Sequence, residues 1–172
     1  GTLKSIQTHE REYLPDDNVL LFSVESGMAN QFVLDLSKTV KRGIQRKLEQ
    51  GWYPHIPKLG YEIGKDGQDP IAADPERFAL VRKMWDLMLT GAYTPPRILE
   101  VATEEWGFRT RQHKRQGGKP LAKSGIYKIF IDPFYYGEFE YPRGSNKWYE
   151  GKHKPMITKE EYDKVQILLG RE

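Results

Sequence analysis

A long stretch without proline constrains the fold of this chain most. No proline occurs between Pro15 and Pro54. Apolar residues recur at every fourth position within it: Met28, Phe32, Leu36, Val40, Ile44 and Leu48. This spacing predicts one amphipathic helix over residues 18–50, because residues four apart lie on the same side of a helix. At about 1.5 Å per residue the helix would span about 50 Å, which is more than the packing of a small domain requires.

The sequence after Gly51 predicts a linker followed by a hairpin and a helix. Prolines at 54 and 57 hold residues 51–57 extended, so this linker should lie along a surface. Short apolar runs at 61–63 and 71–73 flank a turn-rich segment and predict a hairpin. Asp74 followed by Pro75 then predicts the start of a core helix, in which Trp85 and the methionines are packing residues.

Three further helices and a second hairpin are predicted in the rest of the chain. One helix should span about 95–106, and a short one 125–131 with Ser124 as its N-cap. Aromatic runs on both sides of residues 142–146 predict two paired strands with a basic tip. Thr158 and Glu161 form a capping box that predicts the last helix.

This order of elements is typical of a winged helix-turn-helix module. The predicted fold class is α+β and mostly helical: a short strand over 3–8, the long N-terminal helix, a linker, and a winged helix-turn-helix-like domain with β-hairpins. The predicted domain boundaries are 1–50, 51–57 and 58–172.

Positive charge is concentrated in two places, although the net charge is only +3. One is the end of the long helix, where basic residues also suit the negative helix end. The other is residues 107–131, which contain seven basic residues and no acidic one. Such blocks indicate contact with a polyanion.

Composition argues against several other classes of protein. The chain has no cysteine, and His9, His55, His113 and His153 match no metal motif, so we expect no metal and no cofactor. No apolar run of about 18 residues and no signal-peptide pattern occur, so we expect no membrane partner and a cytoplasmic location. No phosphate-binding loop or hydrolase motif is present.

The basic blocks give a set of candidate contacts to double-stranded DNA. A helix in the major groove presents its N-terminal residues to base edges, while flanking Lys and Arg hold phosphates. The candidates in the short helix and the loop before it are Arg109, Arg111, Lys114, Arg115, Lys119, Lys123, Ser124, Tyr127 and Lys128. On the second hairpin, Arg143, Lys147, Lys152 and His153 would form the wing.

Several segments closely resemble the large serine recombinases, which include integrases and transposon recombinases. They are "KRGIQRKLEQGW", "LGYEIGKDG", "DPERFALVRKMWDLMLTG" and "IDPFYYGEFEYPRG". The resemblance implies that residues 3–50 are the final strand and long, self-associating helix of the catalytic domain. It also implies that residues 58–172 are the DNA-binding recombinase domain of a bacterial or phage-encoded, nucleoid-associated protein.

The resemblance also implies roles for particular residues. Lys41, Arg42, Arg46 and Lys47 would grip phosphates near the crossover site, and residues 51–57 would follow the minor groove. The nucleophilic serine would precede residue 1 and a zinc ribbon would follow residue 172. Because Ser5, Ser23, Ser26 and Ser37 lie outside the family's nucleophile motif, this chain should bind but not cut.

Two other hypotheses account for parts of the pattern. A stand-alone winged-helix transcriptional regulator would keep the same DNA surface. A helical interaction scaffold would pair through the long helix and have no affinity for DNA.

Overall fold

The structure is a computed structural model that describes residues 4–7, 12–14, 19–64, 70–112 and 114–171. The chain divides into two compact units, Gly1–Arg46 and Lys47–Glu172. Across the described residues, no helix is long and apolar enough to cross a membrane.

The first unit contains a two-residue strand pair and most of one long helix. Strand β1 (Ile6–Gln7) pairs antiparallel with β2 (Glu12–Tyr13). Helix α1 (Val19–Glu49) confirms the helix predicted over 18–50. Of the strand predicted over 3–8, only Ile6–Gln7 is extended, while its ends, Leu3 and Thr8, lie outside the described residues. Met28 and Phe32 on α1 are about 70% exposed, so this helix keeps much of its apolar surface uncovered.

The second unit begins with the predicted hairpin. Strands β3 (Tyr61–Ile63) and β4 (Ile71–Ala73) pair antiparallel, as predicted. Helix α2 (Phe78–Leu89) begins later than the Asp74-Pro75 signal suggested, with Arg77 at its N-cap position. Asp74 instead accepts the Glu76 and Arg77 backbone N–H groups at 3.0 and 3.1 Å, so it caps the turn that leads into α2.

Three helices enclose the apolar core of this unit. Helix α3 (Pro95–Glu104) ends two residues before the predicted Trp106, and α4 spans Lys123–Phe130. Trp85 is fully buried on α2 and meets Phe130 of α4 edge-on, with ring centroids 5.1 Å apart. Ile98 and Ile126 complete this fully buried group. The packing role predicted for Trp85 is confirmed.

The start of α4 differs from the prediction. Ala122, not Ser124, is the N-cap residue, and α4 begins at Lys123. A Cβ on Gly125 would lie 2.5 Å from the Leu121 side chain, so Leu121 packs directly against the first turn. This apolar contact fixes the chain entry without a hydroxyl cap, and Ser124 lies exposed within the first turn.

A 3₁₀ helix, a hairpin and a last helix complete the unit. The 3₁₀ helix Pro133–Tyr136 follows Asp132, which accepts the Phe134 N–H at 3.1 Å. Strands β5 (Glu138–Glu140) and β6 (Trp148–Glu150) form the second predicted hairpin. Helix α5 (Lys159–Leu168) has the predicted capping box, and both of its hydrogen bonds are present.

Residues 51–57, predicted as a linker, pack within the second unit. Trp52 is buried, and the Gly51 carbonyl accepts the Lys152 N–H at 2.9 Å. The Tyr53 ring meets Phe134 and Phe139 edge-on at 5.4 and 5.3 Å. This segment therefore lies along the β5–β6 side of the unit.

Candidate nucleic-acid interface

Helix α4 has one buried side and one exposed side. Ile126, Ile129 and Phe130 are buried in the core. The predicted site residues Lys123, Ser124, Tyr127 and Lys128 are all exposed. Positions 123 and 127, and 124 and 128, are each one helical turn apart, so these four side chains share one face. We call them the α4 face.

The loop before α4 is closed at its base. Thr110 donates its N–H to the Lys119 carbonyl at 2.9 Å, and Gly118 donates to the Thr110 carbonyl at 3.0 Å. The Thr110 hydroxyl lies 3.1 Å from the same Lys119 carbonyl. These contacts close the loop over residues 110–119, which we call the basic loop.

Two predicted site residues near the basic loop are engaged within the protein. The Arg109 guanidinium donates to the carbonyls of Thr103 and Phe108 at 3.2 and 2.8 Å, so it caps the end of α3. Arg111 forms an ion pair with Glu62 of β3 at 3.1 Å. These contacts give both arginines a structural role in holding the loop.

The remaining cations of this region differ from these two arginines. Among the described residues, no ion pair involves Lys114, Arg115, Lys119, Lys123 or Lys128. All five are exposed. The basic loop and the α4 face therefore present positive charge that no acidic side chain of the described residues neutralises.

Gly117 is required for closure of the basic loop. Its φ is +93°, and a Cβ there would lie 1.9 Å from the Arg111 carbonyl oxygen. We expect Gly117→Ala to open the loop, because neither the left-handed backbone nor the rigid carbonyl accommodates a side chain. Amide hydrogen exchange at Thr110 and Gly118 should accelerate at least about tenfold, which corresponds to about 1.4 kcal/mol.

Substitution of a second glycine, Gly107, provides the control for this prediction. Gly107 has φ +62°, but a Cβ added to it would meet no atom within 4 Å. Gly107→Ala should therefore leave exchange at Thr110 and Gly118 nearly unchanged. Equal effects of the two substitutions would show that backbone conformation alone, rather than the contact with Arg111, governs the loop.

The tip of the β5–β6 hairpin is exposed and basic. Arg143 and Lys147 are both exposed, as the predicted wing requires. Glu140 accepts the Asn146 N–H at 2.8 Å, and backbone hydrogen bonds from Gly144 and Asn146 lower its pKa. The carboxylate is thus used to hold the turn that carries Arg143.

The prediction that His153 belongs to the wing is wrong. Its imidazole is 2% exposed and stacks on Phe134, with centroids 3.8 Å apart and planes 6° apart. Nε2 lies 2.7 Å from the Phe134 carbonyl oxygen and donates to it, because a carbonyl oxygen can only accept. Lys152 is exposed, but its backbone is bonded to Gly51 at the foot of the hairpin.

The burial of His153 predicts a pH-dependent stability. Burial lowers the pKa of His153, against the opposing effects of the Phe134 carbonyl and Asp132. The unfolded chain then binds a proton more readily than the folded one below about pH 6.5, so stability falls as pH drops from there. In urea unfolding, the free energy of unfolding of His153→Phe should fall less between about pH 6.5 and 5 than that of the unaltered protein. An unchanged pH profile would contradict this role of His153.

A cleft of about 570 Å³ separates α4 from the β5–β6 hairpin. Lys128 and Ile129 line it on the α4 side, and Arg143 and Trp148 on the hairpin side. Tyr53 and Lys58 also line it. The fold thus brings Lys128 and Arg143, two separately predicted site residues, to the same cleft.

Comparison with models of protein families identifies the family of this chain. The family model described as Recombinase matches residues 75–171, more than half of the chain. The chain belongs to the Recombinase family. The recombinase resemblance predicted from the sequence is thereby confirmed. No curated protein matches the chain.

Two solved structures share the fold of this Recombinase-family chain. One is described as "Sequence Requirements of the Listeria innocua prophage attP site", with 16% identity, a TM-score of 0.57, and coverage of 77% of this chain and 51% of that one. The other is described as "Crystal Structure of a LSR-DNA Complex", with 18% identity, a TM-score of 0.57, and coverage of 77% and 39%. The chain therefore spans about half or less of these structures, and the likeness supports the α+β fold.

The basic residues of α1 form a separate group of predicted contacts in this Recombinase-family chain. Lys41, Arg42 and Arg46 are exposed in the first unit, and Lys47 is exposed where the second unit begins. No ion pair involves them among the described residues. Their role remains a prediction.

Trp148 and Lys58 are cleft residues that the sequence analysis did not single out. Trp148 is 52% exposed on β6, whereas its neighbour Tyr149 stacks on Phe139. The alternation of β5 and β6 could have placed Trp148 on the opposite face from Tyr149. No local signal could have placed Lys58, because its position depends on an ion pair with Asp132 at 2.7 Å.

Proposed function

We propose that this chain binds duplex DNA as the DNA-binding part of a site-specific serine recombinase, at one half of an attachment or transposon-end site. The observation that carries this proposal is the exposed, unneutralised positive charge of the α4 face and the basic loop. In a Recombinase-family chain this surface is suited to binding DNA, since the solved structures with the same fold include one described as a DNA complex.

The α4 face has the chemistry of a recognition helix. Its buried side is held by the core, so the exposed side is presented rigidly. Lys123 and Lys128 are suited to phosphates, while the Ser124 hydroxyl and the Tyr127 phenol can bond or pack against base edges in the major groove. Ser124 is available for this role because it is not the helix cap.

The basic loop extends the surface beyond α4. Lys114, Arg115 and Lys119 supply phosphate contacts, and Arg109 and Arg111 keep the loop in place through Thr103 and Glu62. Arg143 and Lys147 on the hairpin tip act as the wing. This division separates cations that hold the protein together from cations that hold DNA.

The α1 cations and the exposed apolar side of α1 have proposed roles in the recombination reaction. DNA binding serves the cutting and rejoining of duplexes, with Lys41, Arg42, Arg46 and Lys47 on phosphates near the crossover site. The exposed apolar side of α1 pairs with a second copy, and the domains divide at 1–50, 51–57 and 58–172. The protein acts in the cytoplasm on bacterial or phage DNA.

A salt titration tests the proposal. We would measure the affinity for a fluorescein-labelled duplex by anisotropy between about 50 and 200 mM KCl. The five cations of the α4 face and basic loop alone predict a slope of log affinity against log salt of about −4.5, because each phosphate contact contributes about −0.9, and contacts from the hairpin tip and α1 make the slope steeper. A slope near zero, or no binding at the lowest salt concentration, would contradict the proposal.

A further inference from the structure

The cleft between α4 and the β5–β6 hairpin has opposing walls with different chemistry. The α4 wall carries Lys128 and Gly125, with the Leu121 side chain packed beside Gly125. The hairpin wall carries Arg143 and the half-exposed indole of Trp148. Cations on opposite walls and an aromatic ring on one of them match a sugar–phosphate chain better than a neutral ligand.

The acidic residues that line the cleft, Asp132 and Glu140, are outnumbered by its cations, Lys58, Lys128 and Arg143. Asp132 is bound to Lys58 at 2.7 Å and to the Phe134 N–H at 3.1 Å. Glu140 faces the backbone N–H groups of its own turn, with Asn146 N at 2.8 Å. Lys128 and Arg143 form no ion pair among the described residues, although the nearby charge of Arg143 contributes to the lowered pKa of Glu140, after the backbone N–H groups of the turn.

The floor of the cleft is rigid. Asp132 ties Lys58 to the end of α4, and the Lys58 ammonium lies 5.2 Å from the Tyr53 ring centroid. Tyr53 in turn packs edge-on against Phe139 of β5. The ion pair and the ring contacts therefore connect the two walls through residues 53 and 58, so their separation is set by packing.

We infer that this cleft clamps one strand of the DNA backbone, with Lys128 and Arg143 on the same phosphate and Trp148 against the adjoining deoxyribose. The inference rests on the proposed function and deepens it: the wing does not make an independent contact but closes on the strand that α4 follows. The ligand is a phosphodiester strand within duplex DNA. Trp148 is a binding residue on this account.

A double-substitution cycle tests whether the two cations share a phosphate. Lys128→Gln and Arg143→Gln should each weaken duplex affinity about tenfold and reduce the magnitude of the salt slope by about 0.9, because a clamp that loses the cation of either wall releases its phosphate. The fold loss of affinity in the double variant should be much smaller than the product of the two single-variant losses. The magnitude of its salt slope should fall by about 0.9 in total. Lys164→Gln on α5, which does not line the cleft, controls for the loss of one charge.

Tryptophan fluorescence provides a second readout. Trp52 and Trp85 are buried, so Trp106 and Trp148 are the two indoles that could report on bound DNA. Quenching by duplex should persist in Trp106→Phe and be lost in Trp148→Phe. Circular dichroism of each variant verifies that it is folded.

The outcomes separate this inference from the proposed function. Three results would overturn the shared clamp while leaving DNA binding intact. They are affinity losses that multiply in the double variant, a salt slope that falls in magnitude by about 1.8 in that variant, and quenching that persists in Trp148→Phe. If the unaltered protein shows no salt-dependent duplex binding, the proposed function fails first and the clamp fails with it.

Discussion

Phe134→Ala is expected to destabilise the second unit by about 3–5 kcal/mol, the usual cost of removing a buried phenyl ring. Phe134 is fully buried. Its ring stacks on His153 at 3.8 Å and meets Tyr61 and Tyr53 edge-on at 5.2 and 5.4 Å. It therefore joins β3, the hairpin foot and residues 51–57, and Tyr53 of this last segment lines the cleft.

Urea unfolding followed by tryptophan fluorescence measures this loss, since Trp85 is buried in the same unit. Phe134→Leu keeps most of the volume and should cost less than about 1.5 kcal/mol. Phe32→Ala, at a residue 70% exposed on α1, should change stability by no more than about 0.5 kcal/mol. A loss below about 1 kcal/mol for Phe134→Ala would contradict its central place in the packing.

The second large effect is expected in DNA affinity. Lys123→Ala/Lys128→Ala removes both lysines of the α4 face, and alanine preserves the helix because its helix propensity is the highest. We expect affinity for duplex at about 100 mM KCl to fall about 10- to 100-fold, and the salt slope to fall in magnitude by about 1.8, because the proposed interface places the two lysines on different phosphates.

A charge-matched variant is required for this measurement. Lys164→Ala/Arg171→Ala removes two exposed charges, one in the middle of α5 and one beyond its end. It lowers the net charge equally, so long-range attraction to DNA falls equally in both variants. Equal losses in affinity for the two variants would contradict a specific role for the α4 face.

Local sequence signals predicted much of this fold. The capping box at Thr158 and Glu161 is satisfied within four residues, so its helix could be located from the sequence. The alternation of buried Ile126, Ile129 and Phe130 with exposed Lys123 and Lys128 is likewise a property of helix periodicity. This periodicity predicts that Lys123 and Lys128 lie on the side of α4 away from the core, and in the structure both are exposed.

Contacts between distant parts of the chain account for what the sequence could not predict. His153 is basic and lies beside a basic tip, yet it is buried because Phe134, nineteen positions earlier, offers both a ring and a carbonyl. Arg111 lies in the most basic segment but pairs with Glu62, which belongs to another hairpin. Ser124 has the chemistry of a cap, but the apolar contact of Leu121 with the first turn decides where α4 begins.

The cleft could not be predicted from local sequence signals for the same reason. Lys128 and Arg143 are fifteen positions apart, and the packing of Tyr53 against Phe134 and Phe139, with the Lys58–Asp132 ion pair, connects α4 and the hairpin on either side of one opening. Composition could indicate a polyanion as partner. Which cations act together depends on the tertiary structure.

Site-specific crosslinking tests the central claim, that the α4 face lies on DNA bases, most directly. A photoreactive benzoylphenylalanine replaces Tyr127, which is 43% exposed on α4, or Ile167, which is 74% exposed on α5. After irradiation with duplex carrying the element's end sequence, the crosslinked nucleotides are mapped. We expect the variant at 127 to crosslink to bases within the site and the variant at 167 to give little product. Crosslinks from 167 with none from 127 would contradict the account.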